Sequence, residues 1–219
     1  MKNLLSKELR LCLTPQVITF ICLSALIAIP SWPALTSFIY TFLAIVVIFP
    51  VAIANRDIEF TSLLPVRKVD IVKGKVLLAC FIELCSILVS IPFALLKFFI
   101  INPALGEAIQ FTDLGINLVL YGIVLAMCGF FNLLFIPMYY KNPFKMAKSQ
   151  FISTFVIIIL TMVMTAIFMI DDASAFVNSF SGLALIIQFV SLGAGIALFV
   201  LFNFLAFHFG AKKIKSIDL

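Results

Sequence analysis

Apolar residues run along this chain in six long blocks, at about 16–32, 34–54, 76–101, 114–137, 150–170 and 182–209, and charge is nearly confined to the intervals between them. About twenty apolar residues in helical form cross the hydrocarbon core of a bilayer, so the pattern predicts six transmembrane helices. Barrel strands are excluded, because their lipid-facing and lumen-facing residues alternate and these blocks do not. Pro30 and Pro33 end the first block. Ahead of it, residues 1–14 form an amphipathic pattern, with Leu4, Leu5, Leu9, Cys12 and Leu13 on one face and Lys2, Ser6, Lys7 and Arg10 opposite. That pattern predicts a helix lying in the membrane interface with its basic face on anionic headgroups. A second polar interval, 55–75, separates the second and third blocks. A third, 171–181, reads DDASAFVNSFS and spaces Ala173, Phe176, Val177 and Phe180 helically. For this last interval a small outer helix and an ordinary loop both remain open.

Composition agrees with a membrane assignment. Of 219 residues, 64% are hydrophobic and 11% charged, with a mean hydropathy of +1.25. A soluble domain of this size has too few polar residues here to cover its exterior. The expected fold class is an all-α membrane protein: one domain over 1–219, six transmembrane helices, an N-terminal interfacial helix and a short cytoplasmic helix between the second and third spans. The first helix is expected to be retained rather than cleaved as a signal peptide.

Charge placement orients it. Four segments on one side of a six-span arrangement hold fourteen of the fifteen Lys and Arg: Lys2, Lys7 and Arg10; Arg56, Arg67, Lys68, Lys73 and Lys75; Lys141, Lys145 and Lys148; and Lys212, Lys213 and Lys215. Glu107, Asp113, Asp171 and Asp172 fall on the other side, with Lys97 near them as a snorkelling residue. Basic residues stay cytoplasmic, so both termini are expected there, and the net charge of +5 needs no nucleic acid to explain it.

Several chemistries are excluded. Gly74-Lys75 is followed by Val76 and lacks the upstream glycine of a phosphate-binding loop, so the chain is not itself an ATPase. The single histidine, His208, has no partner motif, and Cys12, Cys22, Cys80, Cys85 and Cys128 form no CxxC, so no metal site and no disulfide framework are expected. Glu83 is the acidic residue well inside a span. It reads as a residue lining a cargo path, as a buried interhelical hydrogen-bond partner, or as a residue shallow enough to reach cytosolic water. Pro92 and Pro137 mark candidate kinks. Small residues at Ser191 and Gly195, four apart, suit close helix contact, more within the chain than between chains.

In the second polar interval Phe60, Leu63, Leu64, Val66, Val69, Ile71 and Val72 alternate with charges, and Pro65 suits the first turn of a short helix over about 65–73. Such a helix would lie along the cytosolic face, apolar residues toward a partner's groove and basic ones toward its rim. The run from Leu64 to Lys75, LPVRKVDIVKGK, resembles the cytoplasmic signature of ABC-2 type permeases. There Leu-Pro-Val/Ile-Ser-Arg is followed by two residues, an Ile-Val pair and a Lys opening the third span. Leu64, Pro65, Val66, Ile71, Val72 and Lys75 match; Arg67 replaces the usual small hydroxyl residue and Lys68 stands for the Arg. Asp57 and Glu59 match the family's acidic lead-in.

The resemblance implies a permease working with a second permease, identical or paralogous, and with separate ATPase subunits that hold the ATP and Mg; this chain would bind no cofactor itself. It implies that Leu63, Leu64, Pro65, Val66, Arg67, Lys68, Asp70 and Ile71 couple to the ATPase. The cargo implied is amphipathic or hydrophobic, and the setting a bacterial plasma membrane. Small, Phe-rich members include exporters of amphipathic peptides such as the staphylococcal phenol-soluble modulins, and the chain is similar to those. A secondary transporter or a non-transporting adaptor is the competing class, disfavoured because internal repeats and paired broken helices are absent. An intramembrane enzyme is disfavoured by the missing catalytic clusters.

Overall fold

The computed structural model describes residues 2–30, 32–55, 67–102, 116–170, 177–179 and 181–215. Every regular element among them is helical. Helix α1 is Lys2–Cys12 and α2 is Pro15–Cys22, which continues as a 3-10 helix over Leu23–Ala28. A 3-10 turn at Ala34–Phe38 leads into α3, Ile39–Ala54. Helix α4 is Lys68–Leu96, followed by a π-helical turn at Lys97–Ile101. Helices α5, Leu118–Lys141, and α6, Met146–Phe168, are joined through a 3-10 turn at Pro143–Lys145, and α7 is Gly182–Lys215.

Five stretches are long and apolar enough to cross a membrane: Ala34–Ala54, Lys68–Ile101, Leu118–Lys141, Met146–Phe168 and Gly182–Lys215. The first expected span is built differently. Its α-helix lasts eight residues before tightening to 3-10 form, and a bend of 90° separates it from α1. The bend follows from the sequence at 13–15. Pro15 sits in the first turn, where its missing N–H costs nothing, and Thr14 caps the helix, its hydroxyl oxygen accepting from the Val17 amide at 3.5 Å. A helix perpendicular to the next one fits an amphipathic segment lying in the interface beside a crossing one.

The bundle closes most tightly between α5 and α7. A Cβ added to Gly195 would lie 2.6 Å from Gly122 Cα, and one added to Gly122 would lie 2.5 Å from the Ser191 carbonyl oxygen. One added to Gly129 would lie 3.0 Å from Phe199 Cα. The two backbones therefore touch, as the small residues of α7 led one to expect, and the contact lies within one chain. Residue numbers rise together along this seam, so α5 and α7 run parallel, as the fourth and sixth of alternating spans must. Against α3, α5 sets an aromatic ladder in which Phe42 meets Phe131 at 5.2 Å and Phe49 meets Phe135 and Tyr139 at 4.7 and 4.6 Å between ring centroids. Offset and edge-on rings of this kind add to what their buried area contributes.

Outward faces of α4 with its π turn, of α6 and of α7 expose Leu88, Phe99, Phe151, Met162, Phe189 and Phe204, as lipid-facing surfaces do. Helix α6 attaches through one stripe of buried residues, Ser149, Ser153, Ile157, Thr161 and Thr165. Pro50, Pro92 and Pro137 all lie inside continuous helices; the ladder resets only five residues past Pro92, in the π turn.

Candidate functional site

Two polar clusters lie inside the bundle, and both grow from α4. The first is at its start. Arg67 holds extended backbone and accepts the Asp70 amide at 2.8 Å through its carbonyl, so the helix begins at Lys68 with Asp70 in its first turn, where a negative charge favours the helix dipole. Arg67 and Lys73 are exposed, while Ile71, Val72 and Lys75 are buried on the opposite face.

Continuity of α4 alters two expectations. The stretch 68–73 is not a separate short helix: it forms the first turns of the third span itself. Helical spacing then turns Ile71 into the chain's own core, 1% exposed, rather than toward a partner. The accessible members of the expected contact set are Arg67, Lys68 and Asp70; Leu63, Leu64, Pro65 and Val66 lie outside the described residues. Lys75, expected in the basic loop, is 1% exposed. Its ammonium donates to Glu8 Oε2 and lies 3.3 Å from Cys12 Sγ.

These contacts gather the basic segments at one end of the bundle. Glu8 and Lys75 bring the N-terminal helix to the start of α4. A Cβ on Gly210 would touch Val72 at 3.0 Å and Ile136 at 3.3 Å, which brings the ends of α5 and α7 there as well. At the other end, the Asn117 side-chain amide donates to Asn178 at 2.8 Å, and that of Gln188 to the Val177 carbonyl at 2.9 Å. The described part of the 171–181 interval is thus pinned to the starts of α5 and α7; the rest of it lies outside the described residues.

The second cluster is one level deeper. Glu83 is two turns beyond Lys75, about 12 Å along the axis. Its carboxylate is fully buried and accepts from Asn132 Nδ2 on α5 through both oxygens, at 3.0 Å each. The same amide nitrogen donates to Asn203 Oδ1 on α7 at 2.9 Å, and Asn203 Nδ2 donates to the Phe199 carbonyl at 2.9 Å. That last bond fixes the direction of the chain: Asn203 presents its oxygen to one N–H of Asn132, and the other N–H of Asn132 is shared between the two Glu83 oxygens. Three spans are tied by three side chains. In this arrangement Glu83 is an interhelical hydrogen-bond partner, closed off from solvent.

Asn132 and Asn203 did not stand out in the sequence, although each is a lone amide inside an apolar run, which is the signal that finds such residues. Glu8 was missed because an acidic residue in a basic amphipathic helix reads as part of its wet face. No group of three or more potential metal ligands occurs among the described residues.

A protein-family model described as ABC-2 family transporter protein matches residues 3–210 of the chain. No curated protein and no solved structure matches it. The signature segment and both polar clusters fall within that match, and the chain belongs to the ABC-2 transporter family, as a multi-pass membrane permease of an ATP-binding cassette transporter.

Proposed function

We propose that this permease exports an amphipathic or hydrophobic cargo, driven by separate ATPase subunits that dock at the exposed start of α4 and the segment before it. One observation carries the reading: Arg67, Lys68 and Asp70 stand at the accessible tip of a helix that runs unbroken for 29 residues into the span carrying Glu83. A force applied at that tip acts on a rigid rod, because an α-helix transmits axial and tilting loads along its hydrogen-bond ladder. Leu63, Leu64, Pro65 and Val66 complete the docking segment in this reading. The ATPase subunits hold the ATP and Mg, and a second permease, identical or paralogous, completes the path.

The basic end faces the cytoplasm of a bacterial plasma membrane, which puts both termini inside, as the positive-inside rule requires. Co-purification tests the reading. The tagged permease, extracted in mild detergent, is expected to bring down an ATPase subunit whose hydrolysis rises at least severalfold with amphipathic helical peptides. Recovery of the permease with no ATPase under conditions that preserve its helicity overturns the reading.

A further inference from the structure

We propose that the Glu8–Lys75 ion pair is the joint through which movement at the start of α4 reaches the interfacial helix α1, so that the two move as one body. The inference rests on the reading that the ATPase docks at Arg67, Lys68 and Asp70. Lys75 is eight residues beyond Arg67, about 12 Å along the same helix. It reaches across to α1 and meets Glu8, and both side chains are all but sealed from solvent, at 2% and 1% exposed. Cys12, one turn further along α1, closes the group: its thiol lies 3.3 Å from the Lys75 ammonium and 3.8 Å from Glu8 Oε2, and the residue is 1% exposed.

A buried pair like this contributes little net stability but is costly to separate, since opening it pulls apart charges held away from water; Lys7 stays 3.7 Å from the other Glu8 oxygen. It therefore acts as a two-position joint, shut or open. Elsewhere on the described part of α1, Ser6, Arg10 and Leu11 face outward, and Leu9 is half-buried against the core. From α1 the path continues through the 90° bend, capped by Thr14, into the first crossing. Glu8 and Lys75 are positioning residues: they touch no cargo, and they set where the first span goes when α4 moves.

The joint is tested first on the permease alone in detergent, by alkylating it with N-ethylmaleimide and reading each cysteine by mass spectrometry. Half-buried Cys85 serves as reference and buried Cys128 reports an intact core. Glu8→Gln and Lys75→Met are each expected to raise Cys12 labelling relative to Cys85 at least tenfold. The double variant Glu8→Gln/Lys75→Met, which leaves no buried charge, is expected to return within about threefold of the parent rate. Single variants at the parent rate, or a double variant as fast as the two singles combined, overturn the joint. Should the single variants expose Cys128, the measurement passes to Glu8→Asp, expected to label Cys12 faster than the parent with Cys128 protected; parent-rate labelling there overturns the proposal.

The second arm uses the permease with its co-purified ATPase, with and without ATP plus orthovanadate, followed by hydrogen exchange. Exchange in α1 is expected to change with nucleotide in the parent and to stay unchanged in the double variant, although its Cys12 is protected. A helix that is merely packed would respond in both. Protection of residues 67–71 by the ATPase without any response of α1 in the parent overturns the joint and leaves the docking reading standing. A lack of protection at 67–71 overturns the docking reading, and the alkylation arm still decides the joint.

Discussion

At the scale of single residues, the Glu83–Asn132–Asn203 chain is where small changes carry most. Asn132 supplies every hydrogen bond that the Glu83 carboxylate receives among the described residues. Asn132→Leu leaves both the Glu83 carboxyl group and the Asn203 oxygen buried without a donor, about 1–3 kcal/mol for each. Asn203→Leu strands only one N–H of Asn132, about 1–3 kcal/mol. Thermal unfolding in detergent is expected to rank Asn132→Leu well below Asn203→Leu, and equal effects would mean the amide does not hold the carboxylate. Glu83→Gln keeps an oxygen toward Asn132 and is expected to leave assembly intact while lowering export several-fold; unimpaired export would confine Glu83 to a structural role. From the sequence, Glu83 was legible as a residue with a partner, because a charge deep in a span needs one. The partner's identity was not, because Asn132 and Asn203 lie 49 and 120 positions away from it, and only the packing of three helices sets them face to face.

Elements pack here by backbone contact as much as by side chains. The α5–α7 seam puts Gly122 and Gly195 against each other with no room for a methyl group, and the atoms in the way are backbone, which cannot swing aside. Gly195→Ala is expected to force the two helices apart at a cost of about 1–3 kcal/mol, as overpacking does. Gly193, two residues away, meets nothing within 4 Å. Gly193→Ala is expected to be neutral or stabilising by up to about 1 kcal/mol, since alanine loses less freedom in a helix than glycine. Melting temperatures of the two variants side by side check the pair, and a tolerated Gly195→Ala would show that the seam is looser than described. The four-residue spacing of Ser191 and Gly195 marked Gly195 as a contact position, but it did not show which helix it meets. Which glycine faces a neighbour depends on the rotation of α7 about its axis.

For the whole molecule, the six apolar blocks and the charge asymmetry were readable at once, because bilayer thickness and the cost of burying charge act on composition alone. Lys75 defeated that logic. Counted among the basic residues of the second polar interval, it turned out to be inside, since Glu8 offers it a carboxylate from a helix 67 positions earlier. Exposed Arg67 and half-buried Lys68, at the tip of α4, are where the proposed docking is tested. Reversing Arg67 and Lys68 together to Glu is expected to leave the spans folded and ATP hydrolysis measurable while export falls at least tenfold. Matched export and hydrolysis in that variant would reduce the tip to a headgroup contact.

The tightened helix at Leu23–Ala28 has a consequence for the lipid around it. Pro15–Ala28 would reach about 21 Å as α-helix, and its 3-10 half, with about 2 Å of rise per residue, extends that to roughly 24 Å. A hydrocarbon core of about 30 Å is thicker than this. A crossing made by this segment alone therefore requires the bilayer to thin beside it, near Pro30, Trp32 and Pro33. Export from vesicles of short-chain phosphatidylcholine is expected to exceed that from long-chain vesicles, and extending the first crossing by a helical turn of leucine should shift the optimum toward thicker bilayers.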